Sequence, residues 1–327
     1  MNKTGSVKFG ILWNSLQQFG QLGITFVSTI ILARLLTPED YGIYGILMIF
    51  ISVSEMLADS GIAGYIIKKQ NVTPIYYDTL FVYNMCVSGI MYLFLFFSAP
   101  FIADFYEKEM LISVIRILGL VLLLHAFSIT QFTRLLKDLQ FHKLALISIV
   151  AGVAALCVAL LLAYRGLGIW ALIFQQLVLV ALTTILYLVV NRRIPHFRFD
   201  MRVFKEQFAF GINLFGSSVL MAITNNIGNN IIAKIFSMNI AGLYVQAVRL
   251  QNYPLSMVSN VVDKTFFPIF SKMNDDWRLL KEQICKLRRL LYAVLFPLFS
   301  VAICFAKPIV SIVELDFSLF FKSSKMA

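Results

Sequence analysis

Two arginines lie inside apolar stretches long enough to cross a bilayer, Arg116 within Met110 to Thr133 and Arg249 within Ile240 to Val262. A charge at that depth costs roughly 2.5 to 3.5 kcal/mol on insertion scales, so each needs a partner or a wet cavity. A guanidinium can there grip an oxyanion in bidentate geometry; the structural alternative is an interhelical ion pair or a side chain that snorkels to the interface. Glu55 and Asp59 stand four apart in the stretch Tyr41 to Ile67 and so share one helical face, where like charges repel unless a proton, a cation or an arginine lies between them. They form a candidate ion-coupling pair. The plainer reading is a salt bridge to Arg116 or Arg249, or Asp59 lying at the interface near Gly61. Two amide stripes complete the set: Asn14, Gln17, Gln18 and Gln21 near the start, and Asn225, Asn226, Asn229 and Asn230 further on. Amides at helical spacing can line a cavity for a hydroxyl-bearing cargo, or tie helices together. His125, alone in an apolar run, reads as a packing residue, and Asp275-Asp276 with the basic run Lys281 to Arg289 reads as a solvated linker beside anionic headgroups.

The elements that must hold these residues are membrane helices. Of 327 residues 59% are hydrophobic and 14% charged, with a mean hydropathy of +0.81; soluble domains have about 45 to 50% and about 25%. Uncharged runs extend from Phe9 to Ala33, Thr79 to Ala103, Leu144 to Tyr164, Gly166 to Asn191, Gln207 to Ala233 and Leu290 to Ala306. With the three charge-bearing stretches above, they predict nine spans, and a tenth begins at Pro308. The net charge of +11 raises the possibility of nucleic acid, but the basic residues fall in alternate loops, which points to membrane topology instead. One set holds Lys3, Lys8, Lys68, Lys69, Arg134 to Lys143, Arg192 to Lys205 and Lys264 to Arg289. The other holds Arg34, Lys108, Arg165, Lys234 and Lys307, with Glu39, Asp40, Asp104, Glu107 and Glu109 among them. By the positive-inside rule the N-terminus is expected in the cytoplasm. Cys86, Cys157, Cys285 and Cys304 have no metal-ligand spacing and read as apolar fillers; no metal site or cofactor is expected.

An internal repeat organises the spans. Ile31-Leu-Ala-Arg-Leu-Leu-Thr-Pro-Glu-Asp-Tyr-Gly-Ile-Tyr44 recurs as Ile231-Ile-Ala-Lys-Ile-Phe-Ser-Met-Asn-Ile-Ala-Gly-Leu-Tyr244, and Phe97-Ser-Ala-Pro-Phe-Ile102 as Phe305-Ala-Lys-Pro-Ile-Val310. An even number of spans separates the copies, so the repeat is parallel, with its axis along the membrane normal. The predicted fold is an all-α polytopic membrane protein of two parallel-repeat six-helix lobes. Residues 1–195 form the first lobe and 196–315 a partial second lobe, with spans seven to nine and the start of ten. Residues 316–327 form an atypical tail, the expected mark of a frameshift or early stop. The second lobe is therefore expected to be incomplete.

Four segments carry a family resemblance: Ala33-Arg-Leu-Leu-Thr-Pro-Glu-Asp-Tyr-Gly42, Arg134-Leu-Leu-Lys-Asp-Leu-Gln-Phe-His-Lys-Leu-Ala145, Gly166-Leu-Gly-Ile-Trp-Ala-Leu-Ile-Phe-Gln-Gln176 and Asn229-Asn-Ile-Ile-Ala-Lys234. In this order the chain resembles the O-antigen and colanic-acid (Wzx-type) flippases of the multidrug/oligosaccharidyl-lipid/polysaccharide exporter superfamily. The resemblance implies a MATE-like pair of six-helix lobes around a central cavity, alternating access, and an undecaprenyl-pyrophosphate-linked oligosaccharide as cargo. It also implies a multi-pass protein of the bacterial inner membrane serving lipopolysaccharide, capsule or exopolysaccharide synthesis, beside a polysaccharide polymerase and a chain-length regulator. Under it Arg249 and Arg116 become anchors for pyrophosphate, and Asn14, Gln17, Gln18, Gln21, Asn225 and Asn229 become sugar-facing amides. Members usually continue after the Pro-Ile-Val step with a Gly-Glu-Lys-Trp-like turn, where this chain has Glu314-Leu-Asp.

Three other readings stay open. A cation-coupled drug or metabolite antiporter of the same fold would use Glu55 and Asp59, although two membrane arginines suit such a cavity poorly. A membrane polymerase or ligase would need a sizeable outer loop bearing acidic or histidine residues, and these loops are short. A truncated second lobe would leave a non-functional remnant.

Overall fold

A computed structural model of the chain describes residues 3–59, 62–193 and 195–261, with a few single positions between 285 and 300. It divides into two compact units, Met1–Val245 and Gln246–Ala327. Among the described residues all regular structure is helical: α1 (Lys3–Leu35), α2 (Pro38–Asp59), α3 (Ile62–Lys68), α4 (Pro74–Tyr106), α5 (Met110–Leu118), α6 (Leu120–Lys137), α7 (Phe141–Tyr164), α8 (Trp170–Asn191), α9 (Met201–Ile235) and α10 (Met238–Val261). The expected spans one to eight fall on these helices. Spans nine and ten lie outside the described residues apart from isolated positions, as does the 316–327 tail.

One expected span differs in detail: the stretch from Met110 is two helices, α5 and α6, meeting at Gly119, while the described parts of Tyr41 to Ile67 are α2 and α3. Among the described residues five stretches are long and apolar enough to cross a membrane: Pro38–Leu57, Pro74–Tyr106, Met110–Lys137, Phe141–Tyr164 and Trp170–Asn191; Gly20–Leu35 of α1 is a shorter apolar helix.

Lipid is as apolar as leucine, so close packing rather than hydrophobicity must join such helices. On α7, Ala151, Ala155, Ala159 and Ala163 recur every fourth residue and are buried, which lets α1 and α8 approach along it. Leu146, Val150, Val153 and Leu161 of the same helix stay exposed, as do Phe94, Phe97 and Phe101 of α4, and these are the side chains suited to face lipid.

The repeat is visible as two helical hairpins built alike. Thr37 begins α2 with a capping box: its hydroxyl donates to Asp40 Oδ2 at 2.7 Å, and that oxygen accepts the Thr37 N–H at 3.0 Å. Ser237, its counterpart, caps α10 by accepting the Ile240 N–H at 3.2 Å. The two hairpins meet through their equivalent glycines. A Cβ on Gly42 would collide with the Met238 carbonyl oxygen, and one on Gly242 with the Pro38 carbonyl oxygen. Pro38 and Met238 are themselves repeat partners, so the contact is reciprocal, as a two-fold relation requires.

The loops sort to two ends as the charge pattern predicts. At the basic end Lys137 Nζ donates to the carbonyls of Ile67 and Lys69, joining the α6 terminus to the α3–α4 loop. There Lys69 also pairs with Glu206 of α9 at 3.0 Å, and the Tyr65 and Tyr76 hydroxyls donate to the same carboxylate oxygen at 3.0 Å each. At the opposite end Lys108 pairs with Glu39 at 2.6 Å, and Lys234 reaches Glu107 at 3.9 Å and the Phe105 carbonyl.

Candidate functional site

A cavity of about 630 Å³ opens among α1, α3, α6, α7 and α8. α1 contributes Gln17 and Gln21; α6 contributes His125, Ser128 and Thr133; Ser148, Thr183 and Tyr187 come from α7 and α8. Apolar Ile67, Ile129, Phe132, Leu179 and Val180 fill the spaces between them. The Gln21 Oε1 atom is buried and finds no hydrogen-bond partner among the described residues. An unpaired buried amide oxygen costs about 1 to 3 kcal/mol, so it invites water or a donor-bearing ligand. His125 lies twelve residues before Lys137, the last residue of α6, hence about 18 Å deep along the helix. The wall is largely apolar, and set into it at membrane depth are two amides, an imidazole and several hydroxyls, with no carboxylate among the described residues.

The sequence-predicted residues separate into groups. Gln17 and Gln21 line this cavity together; the side chains of Asn14 and Gln18 are outside the described residues. The α9 stripe lies elsewhere, against α2 and α4. Asn226 Nδ2 is 3.5 Å from Ser52 Oγ and donates to the Ala222 carbonyl at 2.8 Å, and Asn230 Oδ1 accepts from the Tyr106 hydroxyl at 3.0 Å. Asn229 is buried against Gly45, where any Cβ would collide with its amide, and neither amide atom has a partner among the described residues. Asn225 is exposed.

Arg116 rests over the Phe96 ring at 4.2 Å from its centroid, and its Nε is buried without a hydrogen-bond partner among the described residues. The compensation demanded by its depth thus includes an aromatic face, and no ion pair to Glu55 is found. Glu55 is half-buried on α2; the Asp59 side chain lies outside the described residues. Arg249 is half-buried in the second unit, with Gln251 and Asn252 exposed.

His125, read as a packing residue, is among the residues that line the cavity. The signal was present in the spacing: His125, Ser128 and Phe132 follow at three and four residues on α6, one face carrying polar groups that an apolar core does not need. Ser148, Thr183 and Tyr187 carried no such signal, because single hydroxyls on α7 and α8 are ordinary in membrane helices.

A bundle of helices this long and apolar defines a multi-pass membrane protein. The chain belongs to the polysaccharide biosynthesis protein family, whose sequence pattern matches residues 31–314. It is similar to the teichuronic acid biosynthesis protein TuaB of Bacillus subtilis, 25% identical over 297 residues, covering 90% of this chain and 62% of that one. The succinoglycan biosynthesis transport protein ExoT of Rhizobium meliloti is 26% identical over 264 residues, covering 81% and 53%. The lipopolysaccharide biosynthesis protein WzxC of Escherichia coli is 24% identical over 291 residues, covering 88% and 59%. The chain thus spans between half and two thirds of the length of these curated relatives. No solved structure matches it. The resemblance drawn from the loop motifs is borne out, and the relatives are polysaccharide biosynthesis and transport proteins.

Proposed function

We propose that the chain flips undecaprenyl-pyrophosphate-linked oligosaccharide repeat units across the bacterial inner membrane by alternating access of two six-helix lobes, with its N-terminus in the cytoplasm. The observation that carries this reading is the amide- and hydroxyl-lined cavity reaching membrane depth in a member of the polysaccharide biosynthesis family. Sugar hydroxyls exchange hydrogen bonds with glutamine, serine, threonine and tyrosine without needing charge, while the lipid tail stays in the bilayer. In this reading Arg116 and Arg249 attract the pyrophosphate, and Glu55 with Asp59 exchanges an ion. An inside-negative potential favours the outward step: two negative charges gain ~5 kcal/mol per 100 mV. The ion is then an addition to a driving force already present.

The test is a strain lacking the gene. It should accumulate lipid-linked repeat units on the inner leaflet, and re-expression should clear them. No accumulation sinks export as the function. Re-expression carrying Gln17→Ala with Gln21→Ala should clear them several-fold more slowly at an unchanged protein level, and an unchanged rate would remove this cavity from the pathway.

A further inference from the structure

A second cavity, of about 980 Å³, opens at the basic end between the start of α4, the ends of α6 and α8 and the start of α7. Its wall sets four cations, Arg134, Lys143, Arg192 and Arg193, against two carboxylates, Asp78 and Asp138. One carboxylate is already committed, since Asp78 is buried and its Oδ1 accepts the His196 N–H at 3.1 Å. The charge balance facing the cavity is therefore positive.

Arg134 is held through its side chain, and the segment bearing the exposed Arg192 and Arg193 is held through its backbone. Arg134 is half-buried, stacks 4.6 Å from the centroid of the Tyr77 ring, and donates through Nη1 to the Arg193 carbonyl at 3.4 Å. A guanidinium has five N–H donors, so these contacts fix its plane and leave donors over. The segment bearing Arg192 and Arg193 is anchored to Gln131, which is fully buried on α6. The Gln131 amide donates to the Arg193 carbonyl at 2.9 Å, and Asn191 Nδ2 donates back to Gln131 Oε1 at 2.9 Å and to its carbonyl at 3.1 Å. Arg192 itself adopts φ 50°, ψ 18°, a left-handed conformation that non-glycine residues take at a cost and keep only where their surroundings enforce it. A simple topological signal, positive charge on one side of the membrane, requires none of this scaffolding.

We propose that this cavity binds a phosphate-bearing headgroup. Lys143, Arg192 and Arg193 supply charge-assisted hydrogen bonds, and Arg134 forms the fixed wall behind them. The cavity lies where apolar helices give way to charged loops, the level of lipid phosphates, and basic pockets between membrane helices are suited to such groups. The site stands whether or not the chain is a flippase, because the ligand's phosphate is recognised and not its fate.

The experiment uses the full chain, purified in detergent and titrated calorimetrically with sodium pyrophosphate, then examined by native mass spectrometry for retained phosphatidylglycerol against phosphatidylcholine. Binding of pyrophosphate identifies a site for the phosphate itself; selective retention of phosphatidylglycerol without pyrophosphate binding identifies a lipid headgroup site. Lys143→Gln with Arg192→Gln should weaken whichever probe binds by roughly tenfold or more, at an unchanged melting temperature. If that double variant does not fold, Lys143→Gln alone, with Lys143→Arg restoring binding, gives the same reading. Arg198→Gln with Lys205→Gln, at the same end but outside the cavity, should leave binding in place. Equal loss in both double variants would mean surface adsorption and overturn the proposal, as would binding of neither probe.

Discussion

α1 and α9 are repeat-related helices with the same sequence mark, an amide stripe, and they use it in opposite ways. On α1, Gln17 and Gln21 open on a cavity shared with His125, Ser128 and Thr183. On α9, Asn226, Asn229 and Asn230 are turned to α2 and α4, meeting Ser52, the Gly45 backbone and the Tyr106 hydroxyl. The difference lies in the neighbours. Gly45 has no side chain to hold α9 away, so Asn229 fills the space and the helices meet closely. Around α1 the cavity wall includes the short residues Ala63, Gly64, Ser128 and Ser148, and a volume of about 630 Å³ stays open there. A polar stripe in a membrane helix announces that something polar must meet it; only the volume of the facing side chains decides whether that is a helix or a ligand.

The most severe way to break the α9 arrangement is at the hairpin contact that seats it. Gly242→Ala drives a methyl into the Pro38 carbonyl, which is backbone and cannot swing aside. The expected cost is about 3 kcal/mol or more, the upper end for overpacking, read as a lowered melting temperature and reduced membrane level. A variant with wild-type stability would mean that the hairpins do not meet as described.

Gly45→Ala should cost less, about 1 to 2 kcal/mol, because the groups it strikes, the Asn229 amide and Val245 Cγ2, are side chains and not backbone. Combined with Asn229→Ala it should recover part of that loss, the Val245 contact remaining, and a double-mutant cycle showing strict additivity would disprove the Asn229 contact. Asn230→Ala sharpens the comparison from the other side. It removes the Tyr106 hydroxyl's acceptor and should cost about 0.6 kcal/mol, the usual worth of an interhelical hydrogen bond in a membrane protein. The Gln17→Ala, Gln21→Ala pair, by contrast, should spare stability and slow transport. If the asparagine variant slows transport at unchanged stability, the two stripes have one role and the contrast collapses.

The smallest effect concerns the basic end of α9. Hydrogen bonds from Lys69, Tyr76 and Tyr65 hold the Glu206 carboxyl below the usual carboxylate range, and the bonds that Lys69 donates to Tyr76 and Glu206 lead the causes that raise the lysine. A lowered carboxylate pKa adds stability that is complete above the unfolded value of about 4.3 and fades as pH falls through the folded value. A raised lysine adds stability that is complete below its unfolded value of about 10.4 and fades only at more alkaline pH. Between those limits the link is intact. Glu206→Gln should therefore melt slightly below wild type at pH 7, and the gap should close as pH drops below about 4; a gap that persists there would exclude the ion pair as its source.

Much of the architecture could be read before any coordinates. Apolar run length placed eight helical spans, and the alternation of basic loops sorted their ends, because both follow from the local cost of putting charge or bare backbone into hydrocarbon. The repeat was legible in Thr37-Pro-Glu-Asp-Tyr-Gly42 and its counterpart, since a cap and a close-approach glycine need particular residues at particular offsets. Within the site, Gln17 and Gln21 were legible and His125 was dismissed, for the reason that a histidine alone says nothing about what faces it.

What the sequence by itself determined is therefore each helix's relation to the bilayer, a property summed residue by residue along one chain segment. The tertiary structure decided which amides line a cavity, that Arg116 settles on Phe96, and that loop cations counted only as topology converge around a cavity. A cavity is the volume that several helices fail to fill. No one segment encodes it, because its existence depends on side chains brought together from positions far apart in the chain.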